Sequence, residues 1–428
     1  MFAKQTIRDV NLKGKTVLLR ADYNVPVQDG KITDDYRIKQ SLPTVNYLLE
    51  HGVRLIICSH LGRPKGPEDT GLSLFPVAKR LKQLLDRPVE FVTDAGGPMS
   101  QKAVAGMKPG DVLLLENLRF FPGEKADDDG FAKQLAALAD MFVQDGFAVA
   151  HRKDASTDAV TRHLPSVAGL LVEKEVEAIT QVMEKPKRPV MAIVGGLKIA
   201  DKIDALGRFI DIADFVAIGG AMANTFLAAQ GMDVGDSLYD KADLPTARQI
   251  LKRAEAEAAK RPFVFAIPHD AVVAKNIDKA AKTRVVDWGT HVLADIEHYP
   301  KSPPTSASQI LAGEKILDVG PFSASFIAGA IQLVSTVIWN GTMGVTEVES
   351  LHGPVGPFAH GTELVIEALL GDLGHKPFTV VGGGDTVGYV QSRNLTEEFG
   401  HVSTGGGASL ELMSGHPLPA VEALLDKK

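Results

Sequence analysis

Cysteine occurs once in the 428 residues, at Cys58, so no disulfide can form within the chain. That usage fits a reducing compartment, and a cytoplasmic location is expected. No apolar run approaches the ~20 residues that a membrane span needs. The opening stretch, Met1-Phe2-Ala3-Lys4-Gln5-Thr6 before Ile7-Arg8-Asp9, lacks the apolar core of a signal peptide. No membrane partner is therefore expected. Excess positive charge is also missing: the formal net charge is −7, which argues against nucleic acid as a partner. Several familiar motifs are absent as well. Without GxxxxGK[ST] this is no P-loop protein, and without GxGxxG after a strand a nicotinamide-dependent oxidoreductase is disfavoured. No HExxH or CxxC spacing supports a zinc site.

What is present is a series of short apolar runs. The first half holds Val17-Leu18-Leu19, Leu55-Ile56-Ile57, Val112-Leu113-Leu114-Leu115 and Met141-Phe142-Val143. The second holds Val190-Met191-Ala192-Ile193-Val194, Phe215-Val216-Ala217-Ile218, Phe263-Val264-Phe265-Ala266-Ile267, Val337-Ile338-Trp339 and Phe378-Thr379-Val380-Val381. None alternates apolar with polar, so each reads as a strand buried on both faces. Between them lie helical patterns such as 243–260, rich in Ala, Glu, Lys and Arg. Repeated strand–helix units predict an α/β fold with parallel sheets covered by helices. So many strands are unusual in one open sheet, and the length suggests two or three domains. The expectation is two lobes, each a Rossmann-like parallel sheet. The division is expected near 164–169, followed by a helix over 170–183, with Pro186 and Pro189 before the next strand.

In open α/β sheets ligands bind beyond the carboxyl ends of the strands. In the first half those ends carry Arg20, Asp22 and Asn24; His60 and Arg63; Glu116, Asn117 and Arg119; and Asp145, His151 and Arg152. Each arginine taken singly is best read as a solvated surface residue. Four strand ends together point to a site for a small polyanion, because guanidinium groups match phosphate and carboxylate oxygens. Residues 1–170 hold 23 Lys+Arg against 21 Asp+Glu, while the remainder holds 23 against 32. In the second half the strand ends carry glycine instead: Gly195-Gly196, Gly219-Gly220, Gly320, Gly341 and Gly382-Gly383-Gly384, with Gly405-Gly406-Gly407 opening a helix. Glycine lets backbone approach a ligand, and a helix N-terminus offers free N–H groups, so a phosphate-bearing nucleotide is expected there. Lys198 and Lys202 follow Gly195-Gly196; if a helix starts there, both ammonium groups share one face. Asp385 follows the glycine triplet and suits either a Mg²⁺ ligand or a helix cap.

Taken in order, the motifs resemble the phosphoglycerate kinase family. They are Arg20-Ala21-Asp22-Tyr23-Asn24-Val25-Pro26, Thr33-Asp34-Asp35-Tyr36-Arg37-Ile38, Ser59-His60-Leu61-Gly62-Arg63-Pro64 and Leu115-Glu116-Asn117-Leu118-Arg119-Phe120. They continue with Val194-Gly195-Gly196-Leu197-Lys198, Asp201-Lys202-Ile203, Trp339-Asn340-Gly341, Gly382-Gly383-Gly384-Asp385-Thr386 and Ser403-Thr404-Gly405-Gly406-Gly407-Ala408. The resemblance covers about residues 4–425. It implies a reversible, Mg²⁺-dependent transfer of phosphate from 1,3-bisphosphoglycerate to ADP, giving 3-phosphoglycerate and ATP, by a monomer. It implies a phosphoglycerate-binding domain over 1–168, an interdomain hinge helix over 169–185, a nucleotide-binding domain over 186–410 and a segment over 411–428 returning to the first domain. On the acid side it implies Asp22, Tyr23, Asn24, Arg37, His60, Leu61, Gly62, Arg63, Arg119 and Arg152. On the nucleotide side it implies Gly195, Gly196, Lys198, Lys202, Gly219, Gly220, Asn340, Glu347, Gly382, Gly383, Gly384, Asp385 and Thr386, with Asp385 toward the metal. Catalysis would fall to Arg37, Lys198, Lys202, Gly405 and Gly406.

The chain departs from the family pattern at several places. Leu197 replaces a small residue, Ala221 the third glycine of a triplet, Thr342 a proline and Thr346 a phenylalanine, and Asp154 stands where a histidine is usual. Most of these lie on the nucleotide side, so they bear on base selectivity. A two-lobed binding protein without turnover is the remaining rival, and ATP formation from ADP separates the two.

Overall fold

The computed structural model describes residues 2–288, 308–351 and 353–427. The chain divides into two compact units. The first comprises Met1–Ala178, Thr404–Leu412 and His416–Lys428, and the second Ile179–Ser403 and Met413–Gly415. Every apolar run named above forms a strand.

In the first unit the strands are β1 (Thr16–Arg20), β2 (Val27–Gln28), β3 (Lys31–Ile32), β4 (Arg54–Cys58), β5 (Glu90–Val92), β6 (Val112–Leu115), β7 (Met141–Gln144) and β8 (Ser166–Ala168). Six of them form one parallel sheet in the order β5-β6-β4-β1-β7-β8, and β2 pairs with β3 in a small hairpin. Both faces of this sheet are core. Val17, Leu19, Leu55, Ile57, Leu114 and Val143 pack into one cluster, and Leu18, Ile56, Leu113, Leu115 and Phe142 into another. That is why the runs do not alternate: in β1, β4, β6 and β7 both strand faces are turned away from water.

The second unit has β9 (Val190–Val194), β10 (Phe215–Ile218), β11 (Val264–Ala266), β12 (Asp270–Ala274), β13 (Arg284–Asp287), β14 (Lys315–Val319), β15 (Thr336–Asn340), β16 (Phe378–Gly382) and β17 (His401–Val402). A second six-stranded parallel sheet runs β11-β10-β9-β15-β16-β17, and β13-β12-β14 form a separate antiparallel sheet. The expected helix over 243–260 is Leu244–Ala258, with Pro245 in its first turn.

One stretch differs from expectation. Residues 166–168, placed by the sequence at the division, are the edge strand β8, paired to β7. A three-residue strand has too few positions to show as an apolar run. The units divide between Ala178 and Ile179, within the helix Leu170–Glu184. Its start is set by Asp145, whose Oδ1 accepts from Leu171 N at 2.9 Å, and by Thr44 Oγ1, which accepts from Leu170 N at 2.9 Å. Residue 169 must be glycine for this: a Cβ there would lie 2.1 Å from Asp145 Oδ1. The C-terminal segment lies along the first unit, with Gln5 N donating to Leu425 O at 2.7 Å and Leu425 N to Ser166 O at 3.0 Å.

Candidate functional site

Each parallel sheet reverses its strand order once, beside β1 in the first and between β9 and β15 in the second. A crevice is expected at such points, and the candidate residues lie in the turns that leave them.

In the first unit, the turn after β1 places Asp22 and Asn24. Asp22 Oδ2 accepts from Arg37 Nη1 at 2.7 Å, and Asn24 O accepts from the same nitrogen at 3.3 Å. Asn24 Oδ1 accepts from Gly62 N at 2.8 Å, and Gly62 O accepts from Arg119 Nη1 at 2.5 Å. The turns after β1, β4 and β6 are thus laced together by side chain to main chain bonds. Asn117 anchors the third, accepting from Leu61 N and Arg119 N, both at 3.1 Å. Four guanidiniums, those of Arg20, Arg119, Arg152 and Arg37, act on the buried His60 imidazole. Burial and these charges hold His60 well below the ordinary imidazole range, so it is neutral at pH 7. Arg119 is itself pushed down by burial and by Arg152 and Arg20. Like charges crowded together in this way are relieved by an anion.

Not every expected residue faces this site. Arg20 is 1% exposed, with its Nε on Ser156 Oγ at 2.7 Å, so it is no surface cation. Tyr23 is wholly buried, its hydroxyl bonded to Ser41 Oγ at 3.0 Å and its N–H donated to Ser59 Oγ at 2.8 Å. Leu61 is buried too, and both its main-chain polar groups bond to Asn117. Arg63 is exposed. The glycine triplet 405–407 belongs to this unit, not to the glycine-rich one. Thr404, just before it, donates from N and Oγ1 to Glu175 Oε1 at 2.6 and 2.7 Å. A Cβ on Gly405 would lie 2.2 Å from the Phe147 ring, and one on Gly407 3.2 Å from His151 Nε2. Glycine there lets the start of the helix Gly406–Met413 sit on the segment that carries Arg152. Sequence order could not reveal this return.

In the second unit, the turns after β9 and β15 touch. A Cβ on Gly195 would lie 2.0 Å from Thr342 O, and Gly341, at φ +112°, would place one 2.3 Å from Gly195 carbonyl atoms. Gly195→Ala is therefore expected to cost about 1–3 kcal/mol in a urea unfolding series. Gly384→Ala, at a helix start with nothing within 4 Å of the new carbon, is expected to be neutral or stabilising. Lys202 spans this junction: its Nζ donates to Gly195 O at 2.7 Å, Asn340 O at 3.0 Å and Asn340 Oδ1 at 2.6 Å. Burial pushes the ammonium down to about 8, while Asp385 and Asp201 pull it back up. Lys198 does not share a helix face with Lys202. It is exposed in the turn before a short 3₁₀ segment, Ala200–Lys202, and the α-helix begins only at Ile203.

Beside this junction lies a cavity of about 610 Å³ lined by Gly196, Gly220, Leu317, Met343, Glu347 and Asp385 among others. Its size and apolar lining suit a nucleoside. Three of the residues that depart from the family pattern, Leu197, Ala221 and Thr342, are on its wall. Gly383, at φ +86°, caps the helix Gly384–Ser392; Asp385 stands exposed in its first turn, and Thr386 Oγ1 accepts from Gly341 N at 2.7 Å. No group of three or more His, Cys, Asp or Glu poised for a metal exists among the described residues. An exposed carboxylate at the helix start beside the glycine turns fits a cation held mainly by phosphates and water. One buried acid of the cavity was not foreseen. Asp318 accepts from Val319 N at 2.9 Å and Gly361 N at 2.8 Å, and burial pushes it up to about 8.

The chain is similar to known proteins along nearly its whole length. A family model described as phosphoglycerate kinase matches residues 7–416. A phosphoglycerate kinase of Moorella thermoacetica is 44% identical over 426 residues, covering 100% of both chains. One of Chloroflexus aurantiacus is 45% identical, covering 99% of each. Among solved structures, phosphoglycerate kinase from Coxiella burnetii matches with a TM-score of 0.80 at 35% identity, covering 98% of each chain. That from Pyrococcus horikoshii matches at 0.79 and 31%, covering 99% of this chain and 98% of that one.

Proposed function

The chain belongs to the phosphoglycerate kinase family, and from that premise we infer that it transfers the acyl phosphate of 1,3-bisphosphoglycerate to ADP, reversibly, giving 3-phosphoglycerate and ATP as a step of glycolysis. The observation that supports the assignment of sites is that Arg37, Arg119, Asn24 and His60 are tied together by the turns after β1, β4 and β6 in one unit, with a nucleoside-sized cavity in the other.

On the acid side, Arg37, Arg63, Arg119 and Arg152 hold the phosphate and carboxyl oxygens, with His60 and Asn24 beside them. Asp22 orients Arg37 through the 2.7 Å bond. On the nucleotide side, the cavity takes base and ribose with Glu347 at its rim, and Gly219 and Gly220 open the helix beneath it. Lys198, Lys202 and the turns at Gly195-Gly196 and Gly382-Gly383-Gly384 meet the phosphates, with Asn340 and Thr386 holding those turns. A bound Mg²⁺ would neutralise phosphate charge, and Asp385 is the residue placed to hold it. Phosphoryl transfer asks for position and charge neutralisation rather than covalent help. No general base is needed, since a carboxylate acceptor is already ionised near neutral pH. The two ligands have to meet for transfer, so the helix Leu170–Glu184 serves as the hinge for closure, which also excludes water from the acyl phosphate. The N–H groups at Gly405 and Gly406 then meet the transferring group.

A coupled assay of ATP formation, run with ADP and GDP in parallel, tests the reaction and the altered cavity wall together; no nucleoside triphosphate from either would overturn the assignment. Asp385→Ala is expected to move the Mg²⁺ dependence of the rate to higher concentration while phosphoglycerate binding stays the same. An identical Mg²⁺ titration would leave Asp385 a residue of the helix start and nothing more.

A further inference from the structure

Arg20 is among the largest side chains fully buried in the protein, yet nothing above gives it a role. Its guanidinium has one carboxylate near it, Glu124 Oε1, at 3.8 Å from Nη2. Glu124 is itself wholly buried, and its Oε1 accepts from Ser156 Oγ at 2.6 Å. Ser156 Oγ in turn accepts from Arg20 Nε at 2.7 Å, and Arg20 Nη1 donates to Ala21 O at 2.5 Å. The remaining hydrogen bond runs from Arg20 Nη2 to His60 Nδ1 at 3.3 Å. An arginine has donors only. Nδ1 must therefore be the acceptor, bare of a proton, which leaves the proton of the neutral ring on Nε2. Asp22 Oδ1, which would favour the opposite arrangement, is 3.8 Å from Nδ1 and out of hydrogen-bond range. No protein group bonds Nε2 among the described residues.

We infer that Arg20 is a positioning residue: through the buried relay Glu124–Ser156–Arg20 it fixes His60 as the Nε2–H tautomer, so that the imidazole presents a neutral N–H donor to an oxygen of the phosphoglycerate. The inference rests on reading the arginine cluster as the phosphoglycerate site. Its chemistry is that of second-sphere partners at metal-bound histidines, where the hydrogen bond to one ring nitrogen decides what the other can do. A neutral donor adds direction to a site whose charge the arginines already supply. The low proton affinity of His60, which follows from burial and from Arg20, Arg119, Arg152 and Arg37, keeps the ring from charging at moderately acid pH.

Imidazole ¹⁵N spectra of the whole enzyme, with His60→Gln to assign the signal, test the tautomer without any ligand. At pH 7 the expected result is an unprotonated Nδ1 and a protonated Nε2, and the ring stays neutral as the pH is lowered through the ordinary imidazole range. A protonated Nδ1, or an imidazolium at pH 7, would overturn the inference and leave the site reading standing. Removing Arg20 alone strands Glu124, so the second arm uses Arg20→Met with Glu124→Gln. That variant is expected to show mixed tautomers and to bind 3-phosphoglycerate about tenfold more weakly by calorimetry, with ADP affinity unchanged. A folded double variant that keeps both the tautomer and the affinity sinks the role given to Arg20. If the wild-type enzyme shows the tautomer but binds no 3-phosphoglycerate, the site reading fails, and the role of Arg20 toward that substrate fails with it.

Discussion

Arg37→Ala is expected to lower kcat by about 10³-fold or more while the enzyme stays folded and binds ADP normally. A cation that becomes useful mainly as charge spreads in a phosphoryl transition state is worth roughly 10³–10⁵ in the arginine-finger case. Loss of such an interaction falls on kcat rather than KM. The structure gives a reason to expect a clean result. The Arg37 side chain is 30% exposed, and its anchors are one carboxylate oxygen and one carbonyl. Removing it therefore costs little packing. Asp22, at 5% side-chain exposure, loses the partner of its Oδ2 while its Oδ1 keeps Asn24 N at 3.1 Å, so a modest fall in stability, about 1–3 kcal/mol, accompanies the kinetic effect. Arg37→Lys should recover little, because an ammonium cannot keep the Asp22 and Asn24 anchors and also offer a planar fork to the substrate. Steady-state kinetics in both directions, with folding followed by circular dichroism, decide the matter. Near-normal kcat in a folded Arg37→Ala enzyme would remove Arg37 from catalysis.

Lys202→Ala is expected to fail differently, losing most of kcat, raising the KM for ADP and destabilising the second unit. Gly195 O and Asn340 Oδ1 lose their ammonium donor, while Asn340 O keeps Gly195 N at 3.0 Å. An unfilled buried acceptor costs about 1–3 kcal/mol. The ammonium holds the β9 and β15 turns together, and in the role proposed for it a nucleotide phosphate has to draw it away from at least one of these oxygens. Its proton affinity adds a pH signature. Burial lowers the group from its usual range to about 8, so in the free enzyme positive charge is present below that pH and lost as pH rises through it. The kcat/KM for ADP is expected to fall above about pH 8 for this reason. Stability follows the opposite sign: the unfolded chain binds this proton more tightly, so between about 8 and 10.5 the lysine contribution to stability rises with pH. A flat kcat/KM profile from pH 7 to about 9.5 would show that Lys202 does not titrate in this range.

The two residues also mark how far the sequence could be read. Arg37 and Asp22 are fifteen positions apart: strand-end logic puts Asp22 at the sheet edge, the resemblance alone names Arg37, and the two meet there from the turn after β1 and the helix Tyr36–Glu50. Lys198 and Lys202 were paired by helical spacing, and that failed: the turn after Gly195-Gly196 continues past Lys198 before any α-helix begins. Glycines at 195 and 196 let backbone approach backbone, and the partner turned out to be the Gly341-Thr342 turn as well as the cavity. Periodicity carries no information about which distant turn will arrive. Arg20 shows the same limit from the other side. By position it is one more strand-end cation, but Glu124, Ser156 and His60 surround it, and only their burial turns a surface charge into a relay. The short strands β5, β8 and β17 escaped too, since they have too few positions to show as apolar runs, and the antiparallel sheet β13-β12-β14 was not foreseen.

By itself the sequence determined the α/β class, every long strand of both parallel sheets, and the strings that resemble a phosphoglycerate kinase. Those depend on local pattern: apolar runs for doubly buried strands, and charged or glycine residues where a strand leaves the sheet. The tertiary structure alone decided that β8 completes the first sheet, that the units divide within the helix Leu170–Glu184, and that the glycine triplet 405–407 returns to the unit carrying Arg152. It also decided which arginines stay exposed, as Arg63 does, and which are sealed in, as Arg20 is. These outcomes follow from contacts between segments more than a hundred residues apart, such as Thr404 with Glu175 and Lys202 with Asn340. Such contacts are fixed by packing and by the need to satisfy buried polar groups, neither of which leaves a periodic trace along the chain.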